Sequence, residues 1–187
     1  VGETWNQALA RELAGDPEKS LRSQALEANK PKHYIILCPH YEGYDERILS
    51  LVDYKISLGP YVLTGGELPA LIIIDSITRL LPGVLGGETS AEIESFSDGD
   101  NLEYPQYTEP FDFEGKKVPA ILYCGNHEAI AKYRRRESLL LTRSLRPDLF
   151  DKLTLSKQDR KLLEDYDNGT TPKWEIEALE KGKRFLH

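Results

Sequence analysis

The sequence predicts an α/β first half followed by a small all-α second half. Three observations carry this. Short apolar runs bounded by Pro and Gly alternate with helical spacing before residue 86. Three stretches of helical spacing follow residue 125. Between them Gly86 to about Thr108 is acidic, bears Ser and Gly and has few apolar residues, which is long for a loop inside one domain. The expected parts are residues 1–86, a linker at 87–108 and a helical part at 109–187.

In chain order, ETWNQALARELA (3–14) places Trp5, Ala8, Leu9 and Leu13 near one helical face. Residues 15–32 are polar and read as loop, with a helical turn within 19–28. HYIILC (33–38), aromatic and β-branched between Pro31 and Pro39, reads as a buried strand. A short helix falls within 44–54, and YVLT (61–64) is strand-like. Pro69 suits the first turn of a helix that runs to about Leu81 and stops before Pro82-Gly83; its apolar character nearly all round predicts burial. VPAILYCG (118–125) is a short apolar stretch. A helix is expected from about His127 to Thr142, with Asn126 as its cap and Glu128 in its first turn. Ser156 and Asp159 have capping-box spacing ahead of DRKLLEDY, and WEIEALEKGK (174–183) closes the chain as a last helix.

The composition is ordinary for a globular protein: 187 residues, 40% hydrophobic, 29% charged. It excludes a disordered tail, a collagen-like chain and a disulfide-dense scaffold. The longest apolar region, 68–81, is broken by Asp75, Ser76, Thr78 and Arg79, so no membrane span is expected. No signal-peptide pattern opens the chain, and Cys38 and Cys124 fit no metal spacing; a cytoplasmic protein with reduced thiols is expected. The chain begins at Val1 and holds no methionine, from which a chain lacking its front end is expected. The formal charge of −7 argues weakly against nucleic acid. Its distribution suggests two parts with different duties. Leu80–Gly115 has nine acidic residues and no Lys or Arg, whereas Ala131–Arg146 has six basic residues against Glu137.

Four segments could carry chemistry. CPHYEGYDERI (38–48) gathers His40, Glu42, Asp45, Glu46 and Arg47 after the expected strand; it is either an acid–base or metal site or a solvated loop, and it lacks the HExxH spacing. LGPYVLTGGELP (58–69) carries Gly65-Gly66, where the missing Cβ lets a ligand or backbone come close, though neither phosphate-loop pattern fits. Two such loops after neighbouring strands are where open α/β sheets bind ligands. In the acidic linker Glu92 and Glu94 are candidate bases, the plain alternative being a solubilising connector. On the helix after Asn126, Lys132, Arg135 and Arg136 fall within one turn beside Tyr133 and Arg134; this is a phosphate-neutralising patch or a solvated basic face.

At these segments the sequence resembles the TrmD-type tRNA (guanine-N1)-methyltransferases of bacteria. The motifs are YEGYDERI (41–48), YVLTGGELPALIIIDSITRLLPGVLG (61–86), EYPQYTEP (103–110), VPAILYCGNHEAIAKYRRRESL (118–139) and RPDL (146–149). The resemblance implies a trefoil-knotted SPOUT domain with a parallel sheet, a linker and a helical C-terminal domain. It implies a homodimer with its active site at the subunit interface. It also implies transfer of the methyl group of S-adenosylmethionine to N1 of guanosine 37 of tRNA. The cofactor would be held by Pro39, Tyr41, Glu42 and Gly43, then by Ser57, Leu58, Gly59, Pro60, Tyr61, Val62 and Leu63, with Gly65 and Gly66. Glu94 stands where the family has its general base, and Arg79 matches an arginine near the target base. Lys132, Arg134, Arg135 and Arg136 would hold tRNA phosphates. Family use of magnesium is implied, with no dedicated protein cage evident here.

Departures are specific. Pro39 replaces a glycine of the first loop and removes a backbone donor. Gly59-Pro60-Tyr61 stands for Gly-Asp-Tyr, Glu94-Ser95-Phe96 for Asp-Ser-Phe, and Tyr107-Thr108-Glu109-Pro110 for Tyr-Thr-Arg-Pro. The family's first strand and the segment leading to its Pro-Gln-Gly turn have no counterpart before Gly2, so an incomplete sheet and knot are expected. The competing reading is a non-catalytic RNA-binding relative or an inactive fragment; a metal hydrolase built on His40, Glu42, Asp45 and Glu46 is more distant.

Overall fold

A computed structural model describes residues 2–15, 33–85, 95–96 and 101–184. The chain divides into two units, Val1–Glu92 and Ile93–His187. The expected turn within 19–28, Glu92 and Glu94 lie outside the described residues.

In the first unit Asn6 accepts a hydrogen bond from Leu9 N at 3.0 Å and so starts helix α1 (Gln7–Ala14), which Gly15 ends in the left-handed conformation at φ 88°. Strand β1 (Glu3–Thr4) pairs in parallel with β2 (Ile56–Ser57), Glu3 opposite Ile56 and Thr4 opposite Ser57. Helix α2 (Glu67–Thr78) begins two residues before Pro69, which sits within its first turn. Among the described residues of this unit, Leu9, Ala10 and Leu13 from α1 and Ala70 and Ile73 from α2 are the buried apolar ones. Trp5 Nε1 donates to Ser76 Oγ at 3.1 Å, and the Tyr34 hydroxyl donates to the Leu13 carbonyl at 2.6 Å.

Three expectations are corrected here. Residues 33–38 and 61–64 are not strands but irregular backbone, with Ile35 79% and Val62 96% exposed. Among the described residues of this unit, the parallel sheet is the two-residue pairing of β1 with β2. The physical reason is that a strand exists by pairing: an apolar run without a ladder partner keeps its backbone groups in water. Helix α2 is not buried all round either. It offers α1 one face, while Leu68, Leu71, Ile72 and Ile74 remain exposed.

In the second unit β3 (Asp112–Phe113) and β4 (Lys116–Lys117) form an antiparallel hairpin. Glu114 and Gly115 at its tip both have positive φ, 53° and 82°, the combination a two-residue type I′ turn requires. This hairpin corrects the expectation of an all-α half; its Glu-Gly tip is a weaker hairpin signal than Asn-Gly. A 3-10 turn (Ala120–Tyr123) leads into α3 (His127–Leu145), where Asn126 Oδ1 accepts from Ala129 N at 3.3 Å. After α4 (Pro147–Phe150), α5 (Lys157–Asp167) opens with a complete capping box, Ser156 and Asp159 each accepting from the other's amide at 3.0 Å. Helix α6 (Lys173–Lys183) packs on the 120–123 turn. Ile121, Cys124, Ala129 and Ala178 form one buried cluster, with Tyr133, Trp174 and Leu179 packed against it.

Residues 101–104 lie on α3. Leu102 N donates to Thr142 Oγ1 at 2.9 Å, and Ser138 Oγ donates to the Leu102 carbonyl at 2.5 Å. Both side chains are buried, so each hydroxyl is satisfied by a segment that brings its own backbone to it.

Candidate functional site

The two loops singled out in the first unit are joined. His40 and Gly65 form an isolated antiparallel bridge, and Gly66 N donates to the Pro39 carbonyl at 2.9 Å. A Cβ at Gly66 would sit 2.7 Å from Cys38 Cα, so only glycine permits this approach. The His40 ring is hydrogen-bonded to the Glu67 carboxylate across the same junction. The Glu67 carboxyl is held below the usual range, first by its own backbone amide at the start of α2 and then by His40. Tyr41 at φ 57° and Gly43 at φ 108° turn the first loop sharply, leaving Tyr41 97% exposed. In the second, Ser57 ends β2, Leu58 and Gly59 are half-buried, and Pro60, Tyr61, Val62 and Leu63 are exposed. Glu42 is exposed, and Asp45 pairs with Arg47, whose guanidinium lowers its carboxyl pKa.

The glycine pair lets the two loops touch, since Cβ atoms there would meet Cys38, Pro39 and Glu67, and exposed Tyr41, Tyr61 and Val62 leave apolar surface on the two loops. Pro39 and Pro60 supply carbonyls but no donors. Arg79 caps the C-terminus of α2, half-buried, its amide donating to the Asp75 carbonyl at 3.0 Å. Glu94 lies outside the described residues. Among the described residues no three His, Cys, Asp or Glu side chains converge as a metal-binding group.

In the second unit α3 presents four basic residues in different ways. Arg136 is engaged bidentately by Glu175, at 2.6 and 2.9 Å, and reaches Glu137 at 3.2 Å. Its side chain is 12% exposed and that of Glu175 9%. Burial alone would lower the Arg136 pKa, but the Glu175 and Glu137 carboxylates outweigh it and raise it. Arg135 holds Asp159 through Nε at 2.8 Å and Nη2 at 3.2 Å. Lys132 reaches Glu128 at 2.6 Å and lies over the Trp174 ring at 5.7 Å. Arg134 is exposed; its guanidinium lies over the Tyr104 ring at 4.7 Å, and among the described residues it makes no ion pair. The run 132–136 is therefore not one uniform face. Asp159 and Glu175 lie 24 and 39 positions from their arginines, so no local pattern in the sequence pointed to them.

A profile of the family described as tRNA (Guanine-1)-methyltransferase TrmD matches residues 3–152. A curated relative named tRNA (guanine-N(1)-)-methyltransferase, from Clostridium perfringens, is 52% identical over 162 residues, which is 87% of this chain and 62% of the relative. Relatives of the same name from Clostridium beijerinckii and Dictyoglomus turgidum are 50% and 49% identical over 89% and 88% of the chain. The chain thus spans about 62% of the length of the relatives it matches.

Proposed function

This chain belongs to the TrmD family of tRNA (guanine-1)-methyltransferases, and from that premise we propose that it methylates N1 of guanosine 37 of tRNA. The observation that carries this is the family match over residues 3–152, inside which the two glycine-bearing loops meet, His40 on Gly65 and Gly66 on Pro39.

S-adenosylmethionine, when bound, supplies a methyl group on a sulfonium. The chain's residues do the rest. Tyr41, Gly43 and residues 57–66 position the nucleoside end, which converts a bimolecular encounter into a held geometry. Guanine N1 carries a proton and is a weak nucleophile; Glu94 takes that proton as general base. Negative charge then grows toward O6 of the base, where the Arg79 guanidinium stabilises it. In this reading residues 1–86 form the knotted cofactor unit, 87–108 the linker and 109–187 the tRNA-binding unit. The protein acts in the cytoplasm as a homodimer with its active site at the subunit interface. Arg134 makes the exposed phosphate contact, while Lys132, Arg135 and Arg136 set the shape of that face. Magnesium is assigned no residue and no step.

The test is methyl transfer to an unmodified tRNA carrying guanosines at positions 36 and 37. N1-methylation blocks pairing, so primer extension is expected to stop at position 37. The Glu94→Gln variant is expected to lose about 10²–10⁴-fold in rate while still binding S-adenosylmethionine. Full activity in that variant removes Glu94 from its role. A parent chain that binds tRNA but gives no stop supports the non-catalytic RNA-binding reading instead.

A further inference from the structure

Helices α3, α5 and α6 line an open cleft of about 770 Å³, within the size range of small-molecule sites. Trp174 forms one wall. Its ring packs on the core cluster, which fixes it, yet it remains half-exposed toward the cleft, with the Lys132 ammonium over it at 5.7 Å. Ala131 and Leu162 supply further apolar wall. Each cation at the cleft already holds a carboxylate: Lys132 with Glu128 at 2.6 Å, Arg135 with Asp159 at 2.8 Å, Lys161 with Asp165 at 2.9 Å. The cleft is thus formally balanced, which disfavours a bare anion or dication and favours a flat ring with its own donors and acceptors. Lys161, with its side chain 64% exposed, is the most solvent-facing of the three cations.

We propose that this cleft is a stacking subsite for one unstacked nucleobase of single-stranded RNA, with Trp174 as its platform and Lys161 beside the adjoining phosphate. The inference rests on the RNA-binding reading above, since Lys132 and Arg135 of that reading line the cleft. It goes beyond it at Trp174, which lies outside the matched residues 3–152. The physics is that of single-stranded recognition: a splayed base stacks on a rigid aromatic ring, and a duplex, whose bases are already stacked, cannot enter.

The probe is an eight-nucleotide single-stranded RNA added to the full chain, read by tryptophan emission and by affinity at several salt concentrations. The parent is expected to be quenched by this RNA, and neither by ribose 5-phosphate nor by the same sequence as a duplex. Trp174→Leu keeps an apolar body for the core. It is expected to lose the quench and about ten-fold in affinity, with the salt slope unchanged. Lys161→Ala, an exposed change, is expected to keep the quench and reduce the salt slope by about one. Absence of quenching in the parent overturns the proposal, as does equal quenching by ribose 5-phosphate or by the duplex. So does unchanged affinity in a folded Trp174→Leu. Should Trp174→Leu not fold, the parent's quench and the Lys161→Ala slope decide.

Methylation separates the two readings. A parent that is quenched by RNA but forms no N1-methylguanine keeps the cleft and loses the methyltransferase. One that methylates tRNA with an unchanged KM in Trp174→Leu keeps the enzyme and loses the cleft.

Discussion

Arg134 and Arg136 stand two positions apart on one helix, yet they do opposite work. Arg136 and Glu175 are both nearly enclosed, and removing the arginine alone leaves a buried carboxylate without its counter-charge. Arg136→Ala is expected to cost about 3–5 kcal/mol in urea unfolding. Replacing both partners by well-packed apolar residues is expected to restore most of that loss. Arg134→Ala removes an exposed guanidinium from the Tyr104 ring and is expected to cost no more than about 1 kcal/mol, while weakening tRNA binding and reducing its salt dependence. Asp159 sets a pH dependence of its own. Burial acts to raise its pKa, but Arg135 and the amide and hydroxyl of Ser156 outweigh that and hold it below the ordinary value. A group depressed in the folded state adds stability above its unfolded pKa, ~3.9 for Asp, and loses it as pH falls through the folded value. Urea midpoints are therefore expected to fall below about pH 4, and less steeply in Asp159→Asn.

At the scale of elements, Gly182 decides how closely α6 can lie on the 120–123 turn. A Cβ there would overlap the Ala120 carbonyl oxygen and crowd its carbon at 2.7 Å. Alanine would gain about 1 kcal/mol of helix propensity but push two backbones apart. Gly182→Ala is expected to be net destabilising, within the 1–3 kcal/mol typical of overpacking, and the thermal midpoint checks it. No periodicity marks that glycine, because its partner is backbone some sixty residues away. Local signals fared differently. Asn126 and Ser156 cap α3 and α5 as expected, and α6 falls within one residue of the expected 174–183. A cap is a contact between residues three apart, and three residues of sequence contain it. HYIILC and YVLT have strand composition, but a strand is completed by a partner that composition does not contain. The site divides along the same line. The Gly65-Gly66 pair and the basic run are legible as residue types, whereas the bridge between His40 and Gly65 and the sorting of four cations into structural and exposed roles depend on distant partners.

At the scale of the whole molecule, the apolar face of α2 carries the last prediction. Leu68, Leu71, Ile72 and Ile74 are 48–61% exposed, while Ala70 and Ile73 on the α1 side are 8% and 7%. Soluble chains seldom leave several large aliphatic side chains together in water, and a helix apolar all round is one that other surfaces cover. The proposed homodimer would supply such a surface if α2 lies at its two-fold axis, where the same patch meets itself. Each half-exposed Leu or Ile still has on the order of 1 kcal/mol to gain from burial, and a contact about a two-fold axis counts each side chain twice. Leu71→Glu with Ile74→Glu would instead place four carboxylates in that contact. Sedimentation equilibrium is expected to give two chains for the parent and one for the double variant at the same concentration, a dissociation constant raised at least about 100-fold. The variant keeps Ala70 and Ile73, so its α1–α2 packing and helical circular dichroism are expected to persist. Methylation is expected to be lost with the dimer, because the active site is proposed to lie between subunits. A parent that sediments as a single chain, or a double variant that remains dimeric, would assign this face to another partner.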